Sequence, residues 1–341
     1  MPFREPAWWY RKERGLAGWL LGPIGAIYGT IAARRLQQTP HTRSPVPLIC
    51  VGNFTAGGTG KTPLALWIAD KLRQQGLTPV FLTRGYGSNV RSPTFVDAQR
   101  HTAAEAGDEA LLLARDGPVM VSPDRAAGAQ AITDLGIVCD VIVMDDGLQN
   151  PALAKDFTIA VVDGARGFGN GLVIPAGPLR APLVEQLSKV DIVVVNGRPE
   201  DRQGIAAEIG ARFAGPVLSA QVEPAEEIAW LDGARVVAFA GIGNPGRFFA
   251  LLKALGATLV AQRTFADHHP FTDGEADALL AEARSLSALL VTTEKDFVRL
   301  GQIGPQGDVK RQARTVPIRL SFAPGDEALL MEKIISTIAR R

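Results

Sequence analysis

The sequence predicts an α/β protein built on a parallel sheet, and three observations predict it. Short, wholly apolar runs recur at 48–51, 80–82, 119–121, 141–144, 159–162 and 192–195. Helix-period segments such as 63–75 and 108–115 separate several of them, and a glycine-rich turn joins the first run to the first helix. Strands apolar on both faces need cover on both sides, which helical crossovers of a parallel sheet provide. At 341 residues there is room for two domains at about 150 residues each. With 46% hydrophobic and 21% charged residues, the chain is neither disordered nor a coiled coil. A net charge of +1 argues against a chain built wholesale to coat nucleic acid, so no nucleic-acid partner is expected. Cys50 and Cys139, both in apolar runs, read as reduced core thiols.

Residues 1–35 differ from the rest. Arg4, Arg11, Lys12, Arg14, Arg34 and Arg35 stand against Glu5 and Glu13, so the positive excess is local. Between the basic clusters, 15–33 is apolar, with Trp8, Trp9 and Tyr10 ahead of it. Gly15, Gly18, Gly22, Gly25 and Gly29 recur at steps of three and four, which puts them on one helical face and the bulky residues on the other. Pro23 is expected to kink or split the helix. Glu5 and Glu13 fit a signal peptide poorly, and the glycines dilute a full span. The pattern reads as an amphipathic helix on a membrane surface, with packing on the protein's own body and a true span as alternatives.

The sharpest motif runs from Val51 to Pro63, out of a strand and into a helix. Thr55, Ala56, Gly57, Gly58, Thr59, Gly60, Lys61 and Thr62 have the form of a phosphate-binding loop: backbone N–H groups turn inward around phosphate oxygens, and the helix start adds its positive end. In that chemistry Lys61 reaches the β- and γ-phosphates of ATP and the Thr62 hydroxyl binds Mg2+. The strict pattern has Gly where Thr55 stands. The apolar run 141–144 ends in Asp145 and Asp146, carboxylates suited to hold the magnesium directly or through water.

A second set of apolar runs covers 217–222, 236–240, 259–262, 289–292 and 318–322, with helical patterns at 247–255 and 273–286 between them. The full expectation is a P-loop NTPase-type parallel-sheet domain over 36–215, a smaller α/β domain over 216–341, and the N-terminal membrane-associated helix over 1–35.

Seven segments then converge: Thr83-Arg84-Gly85-Tyr86-Gly87, Ala106-Gly107-Asp108-Glu109-Ala110, Asp145-Asp146-Gly147-Leu148-Gln149, Pro175-Ala176-Gly177-Pro178-Leu179-Arg180, Gly241-Ile242-Gly243-Asn244-Pro245, Phe265-Ala266-Asp267-His268-His269 and Thr292-Thr293-Glu294-Lys295-Asp296. With the loop, they resemble the tetraacyldisaccharide 4'-kinase family, the lipid A 4'-kinases of Gram-negative bacteria. The resemblance spans nearly the whole chain. It implies transfer of the ATP γ-phosphate to the 4'-hydroxyl of a membrane-embedded tetraacyldisaccharide 1-phosphate, giving lipid IVA. It also implies two α/β domains closing on a cleft, and a peripheral or monotopic place on the cytoplasmic face of the inner membrane.

By the same resemblance Asp108 is the base and His268 its partner, with His269 as the alternative. On spacing alone Asp108 reads rather as a helix cap, and the two histidines equally as a surface turn before Pro270. Arg84, Tyr86, Glu109, Arg125 and Arg180 are candidates to contact the disaccharide or its 1-phosphate, since Arg binds phosphate in bidentate fashion. Departures from the family fall at Thr83, where Ser is common, and at Asn150, where His often follows the Gln. The 292–296 run fits either a structural turn or a cleft wall. A rival is a membrane-cycling P-loop ATPase switch, but Ala56 stands where its extra Lys belongs. A guanine-nucleotide switch is disfavoured because Asn196-Gly197 lacks the Lys and Asp of a base reader.

Overall fold

The computed structural model describes residues 5–11, 13, 15–226 and 228–341; Arg4, Lys12 and Arg14 of the basic clusters lie outside them. Thirteen strands form two sheets among the described residues. They are β1 (Leu48–Gly52), β2 (Pro79–Thr83), β3 (Thr94–Phe95), β4 (Val119–Val121), β5 (Val141–Asp145), β6 (Phe157–Asp163), β7 (Ile192–Asn196), β8 (Val217–Pro224), β9 (Arg235–Ala240), β10 (Thr258–Thr264), β11 (Leu289–Thr292), β12 (Arg314–Thr315) and β13 (Ile318–Phe322).

The larger sheet runs β13-β8-β7-β6-β1-β5-β2-β4-β3. Its interior pairs are parallel, and β3 and β13 cap the two edges antiparallel. Every residue of β1, β2, β4, β5, β6 and β7 is buried, as strands covered on both faces should be. The smaller sheet runs β10-β9-β11-β12 and is parallel throughout. The helix Pro245–Ala254 covers one face with Phe248, Phe249 and Leu252, and Asp273–Ser285 covers the other with Leu279, Leu280 and Ala283.

The sheets do not divide at residue 215. β8 adds to the free edge of β7, with Val217 opposite Val193, so the chain leaves the larger sheet only after Pro224. It returns through β13, and the last helix, Pro324–Ala339, sinks Leu330 and Ile334 into the core beside Leu64, Ile68 and Leu72. The smaller lobe is therefore an insertion spanning its four strands, held by two crossings of the chain.

The N-terminal helix, Leu16–Leu36, runs unbroken through Pro23. Pro23 lies on its exposed side, and the helix continues past the lost amide bond. Gly18, Gly25 and Gly29 are buried against 170–182: a Cβ on Gly25 would sit 2.7 Å from the Val173 carbonyl oxygen. The opposite face leaves Trp19, Leu20, Ile24, Ile27 and Ile31 between 50% and 69% exposed. By length and composition the helix is apolar enough to cross a membrane.

Candidate active site

The phosphate loop emerges from the buried strand β1 and leads into the helix Lys61–Gln74. Gly57 and Gly60 take φ of +90° and +102°, the left-handed region that glycine occupies without steric cost. At Gly60 the missing side chain also admits the Asn196 amide from the end of β7, which donates to Thr59 O at 3.0 Å. The outer wall is propped by 178–180. There Ala56 N donates to Pro178 O at 2.8 Å, and Arg180 Nε to Thr55 O at 3.0 Å. Thr55 forms an antiparallel bridge with Leu179. It thus serves the loop's outer wall and needs no left-handed backbone, which accounts for the departure from Gly.

Thr62, in the first turn of that helix, donates its hydroxyl to Asp145 Oδ2 at 2.9 Å. The other oxygen, Asp145 Oδ1, is buried and unpartnered. Burial, with Glu109 and Asp146 nearby, pushes the Asp145 carboxyl up to about 7 against the pull of Lys61 and Thr62. An orphaned oxygen beside a hydroxyl suits a hard cation. Among the described residues no cluster of three protein ligands could hold a metal, so a cation here must take ligands from phosphates and water as well, as magnesium does. Asp146, at φ +55°, pairs with Lys61 at 3.6 Å and Arg180 at 2.8 Å. Burial opposes its ionisation, but Lys61 and Arg180 outweigh it and hold the carboxyl well below the usual range.

Asp108 begins the helix Asp108–Leu113, and Gly107 takes the cap position. Its side chain reaches the smaller lobe, where His268 Nδ1 lies 2.9 and 3.1 Å from its two oxygens. Arg299 Nε donates to Asp108 Oδ2 at 2.6 Å. Burial raises the Asp108 pKa, yet Lys295, the His268 hydrogen bond and Arg299 together hold it well below the carboxylate range. With Nδ1 turned to a carboxylate, the outward nitrogen is Nε2, 3.4 Å from Lys295 Nζ. The Tyr86 ring lies 5.0 Å from the imidazole. His269 turns away to Glu275 at 2.9 Å and stacks on Phe265.

The 292–296 run both caps and lines. Thr293 caps the helix Glu294–Arg299, and Asp296, fully buried, accepts from Gly241 N at 3.0 Å. Lys295 faces the cleft and pairs with Glu109 across the lobes at 3.2 Å. Lys295 and Arg299 were not singled out as site residues. Lys295 sits in the Thr-Glu-Lys-Asp run after an apolar strand, whereas Arg299 lies beyond that run and carries no motif signal.

Two cavities meet at the phosphate loop. One, of about 770 Å³, is lined by Gly57, Lys61, Tyr86, Asp146, Arg180 and His268 among others. The other, of about 1020 Å³, opens on the far side between the lobes, along Thr62, Trp67, Arg247 and Phe322. Gly58, Lys61, Glu109 and Lys295 line both. Of the remaining candidates, Arg84 is exposed. Arg180 lines the smaller cavity while bracing Asp146 and Thr55 O. Arg125 lies beneath the site, not in its wall. It is 4% exposed, its guanidinium donates to the carbonyls of Ser122 and Pro123, and burial with Arg84 nearby lowers its pKa to about 10. At the other departure, Asn150 Oδ1 accepts from Ala152 N and Leu153 N and shapes a turn.

Residues 17–338 match the family described as tetraacyldisaccharide-1-P 4'-kinase (LpxK). A tetraacyldisaccharide 4'-kinase of Nitrobacter winogradskyi is 49% identical over 339 residues, covering 99% of this chain and 98% of the relative. The one from Paramagnetospirillum magneticum is 50% identical over 297 residues, covering 87% of this chain and 89% of the relative. The crystal structure of LpxK from Aquifex aeolicus, in complex with ATP, superposes with a TM-score of 0.72 at 23% identity, covering 95% of this chain and 99% of that one. At that identity the likeness concerns the fold.

Proposed function

The chain belongs to the tetraacyldisaccharide-1-P 4'-kinase family, and from that premise we propose how its own residues carry the reaction. It is an ATP-dependent kinase that phosphorylates the 4'-hydroxyl of tetraacyldisaccharide 1-phosphate in lipid A biosynthesis. The observation that carries the mechanism is the meeting of two cavities at Gly58 and Lys61, with the Asp108–His268 pair reaching the smaller one. The larger cavity takes the nucleoside end of ATP, and the smaller takes the disaccharide.

Lys61 and the loop amides neutralise the β- and γ-phosphates in line with the acceptor. Thr62 and Asp145 would hold a magnesium ion, which when bound would supply charge neutralisation on the phosphates. His268 accepts the proton of the 4'-hydroxyl at Nε2. Asp108 holds Nδ1–H and stabilises the imidazolium that forms. Asp108 itself, paired with Arg299 and held ionised, is a weak base, so it acts through His268. Asp146 and Arg180 keep the loop and Lys61 in register, and Tyr86 and Glu109 line the approach of the sugar, with the exposed Arg84 nearby in sequence. Arg125 instead ties down the 122–123 turn after β4.

The exposed face of Leu16–Leu36 meets the cytoplasmic surface of the inner membrane, where the acyl chains of the substrate reside. Trp19 and Tyr28 suit the headgroup boundary, and Arg34 and Arg35 suit anionic headgroups.

The test is a transfer assay. Purified protein, γ-labelled ATP, magnesium and tetraacyldisaccharide 1-phosphate in detergent micelles should put label into the organic-extractable lipid, and Lys61→Ala should abolish it. Steady ATP hydrolysis with no labelled lipid would overturn the reading in favour of a membrane-switch ATPase.

A further inference from the structure

Arg166 is a cleft cation for which the reaction above has no use. It lies in the loop after β6, where Asp163 Oδ1 accepts the backbone N–H groups of Ala165 and Arg166 and fixes the turn. Its guanidinium is held on three sides. It pairs with Glu5 Oε2 at 3.1 Å, donates to Gly243 O of the smaller lobe at 3.0 Å, and lies 4.7 Å from the Tyr10 ring centroid. It lines the 770 Å³ cavity together with Gly57, Gly58 and Lys61.

Glu5 stands in the mouth of the phosphate loop. A Cβ at Gly57 would collide with Glu5 Oε1, so the carboxylate rests on the bare Cα of the loop. Tyr10 Oη donates to Glu5 Oε2 at 2.7 Å, the oxygen that also meets Arg166. Carboxylates and phosphates are read by the same donors, the guanidinium fork and inward-turned loop amides. Yet the seat suits Glu5 poorly. Burial pushes its pKa up, Tyr10 and Arg166 offset this only in part, and Asp267 and Asp163 add to the rise. A phosphate brings more charge and more acceptor oxygens to the same donors. Glu5 also precedes the anchored Trp9, whose Nε1 donates to Pro175 O at 3.1 Å, so it can leave while that anchor stays.

We infer that Arg166 is a phosphate-contacting residue of the cleft, and that Glu5 is the carboxylate occupying its seat until a phosphate arrives. The inference rests on the phosphate-loop reading above. The ligand is a phosphate oxyanion with two sources, the terminal phosphate of ATP and the 1-phosphate of the lipid. Contact with Gly57 favours ATP.

The experiment measures equilibrium binding of ATP and ADP, and the lipid KM, on the full chain in detergent micelles. Arg166→Gln should weaken ATP binding about tenfold or more, ADP less, and Arg166→Lys should restore only part, because a lost charge-assisted pair costs about that much. Glu5→Ala and Glu5→Gln should tighten ATP binding, and this gain should vanish in the Arg166→Gln background. A raised lipid KM at unchanged ATP affinity assigns the same seat to the lipid phosphate. Unchanged ATP affinity and lipid KM in Arg166→Gln would overturn the inference, as would Glu5 variants that bind both ligands more weakly. Lys61→Ala is the control: if it binds ATP normally, the phosphate-loop reading fails, independently of Arg166.

Discussion

The phosphate loop closes on residues that are neighbours in the chain, whereas the Asp108 cluster closes on residues from two lobes. Thr55 to Thr62 are consecutive, and the distant hydrogen-bond partners that hold them, Asp145, Asn196 and the 178–180 prop, all come from the larger lobe. Asp108 meets His268 across 160 residues and Arg299 across 191. The first site keeps its shape through its own backbone geometry and a few side-chain props from the larger lobe. The second exists only while the smaller lobe, inserted between β8 and β13, sits against the larger one. The phosphate loop and the proposed Asp108–His268 relay are thus separable in structure: closure of the lobes is needed to assemble the relay but not the loop, although the larger cavity beside the loop also has a wall from the smaller lobe.

Six substitutions break or sharpen that contrast. Lys61→Ala carries the largest expected effect: kcat should fall at least about a thousandfold, because γ-phosphate charge loses its main protein counter-charge. Turnover within tenfold of wild type would refute the loop assignment. Arg299→Leu should come next, through stability. Asp108 and Arg299 are each 4% exposed, and removing one member of a buried pair costs about 3–5 kcal/mol. Chemical unfolding should show this loss, while an Arg299→Leu chain as stable as wild type would mean that the pair is not structural.

The same pair sets a pH dependence. The Asp108 carboxyl is held below its ordinary value in the folded chain, so its contribution is complete above the usual carboxylate range and is lost as pH falls through and below it. The stability gap between wild type and Asp108→Asn should therefore narrow in acid. A gap that is constant with pH would assign it to packing.

His268→Ala should lower kcat about a hundredfold or more with ATP affinity unchanged, the range for a general base. His269→Ala should leave kcat near wild type, since its ring is committed to Glu275 and Phe265. A reversal of the two would move the proton acceptor. Among the substitutions expected to lower activity, the mildest is Ile27→Glu on the exposed helix face. Activity on lipid in vesicles should fall a few-fold while ATP binding holds; equal activity would exclude that face from the membrane.

The same contrast governs what could be read from the sequence. β1, β2, β5, β6 and β7 were legible because strands buried on both faces are apolar throughout. The membership of β8 and β13 was not. Ile318 pairs with Pro224, and a pairing over that distance leaves no local signature. The glycine face of Leu16–Leu36 was legible as a spacing, although its docking surface at 170–182 was not. Lys61, Thr62 and Asp145 announced themselves through motif chemistry. Asp108 looked like a cap until family resemblance singled it out. Arg299 and Glu5 were invisible, because a lone Arg at a helix end and a lone Glu near a terminus acquire meaning only from what they face.

The segment 170–182 touches two things at once. Gly25 and Gly29 dock on it from one side, and Pro178 and Arg180 brace the phosphate loop from the other. A bilayer that holds the helix therefore holds the phosphate loop at a fixed height above the lipid. Such a spacer works as a ruler. On the membrane placement proposed for the helix, acyl chains in the bilayer and a phosphate loop at a set altitude would let reach, as much as recognition, choose the hydroxyl that is phosphorylated.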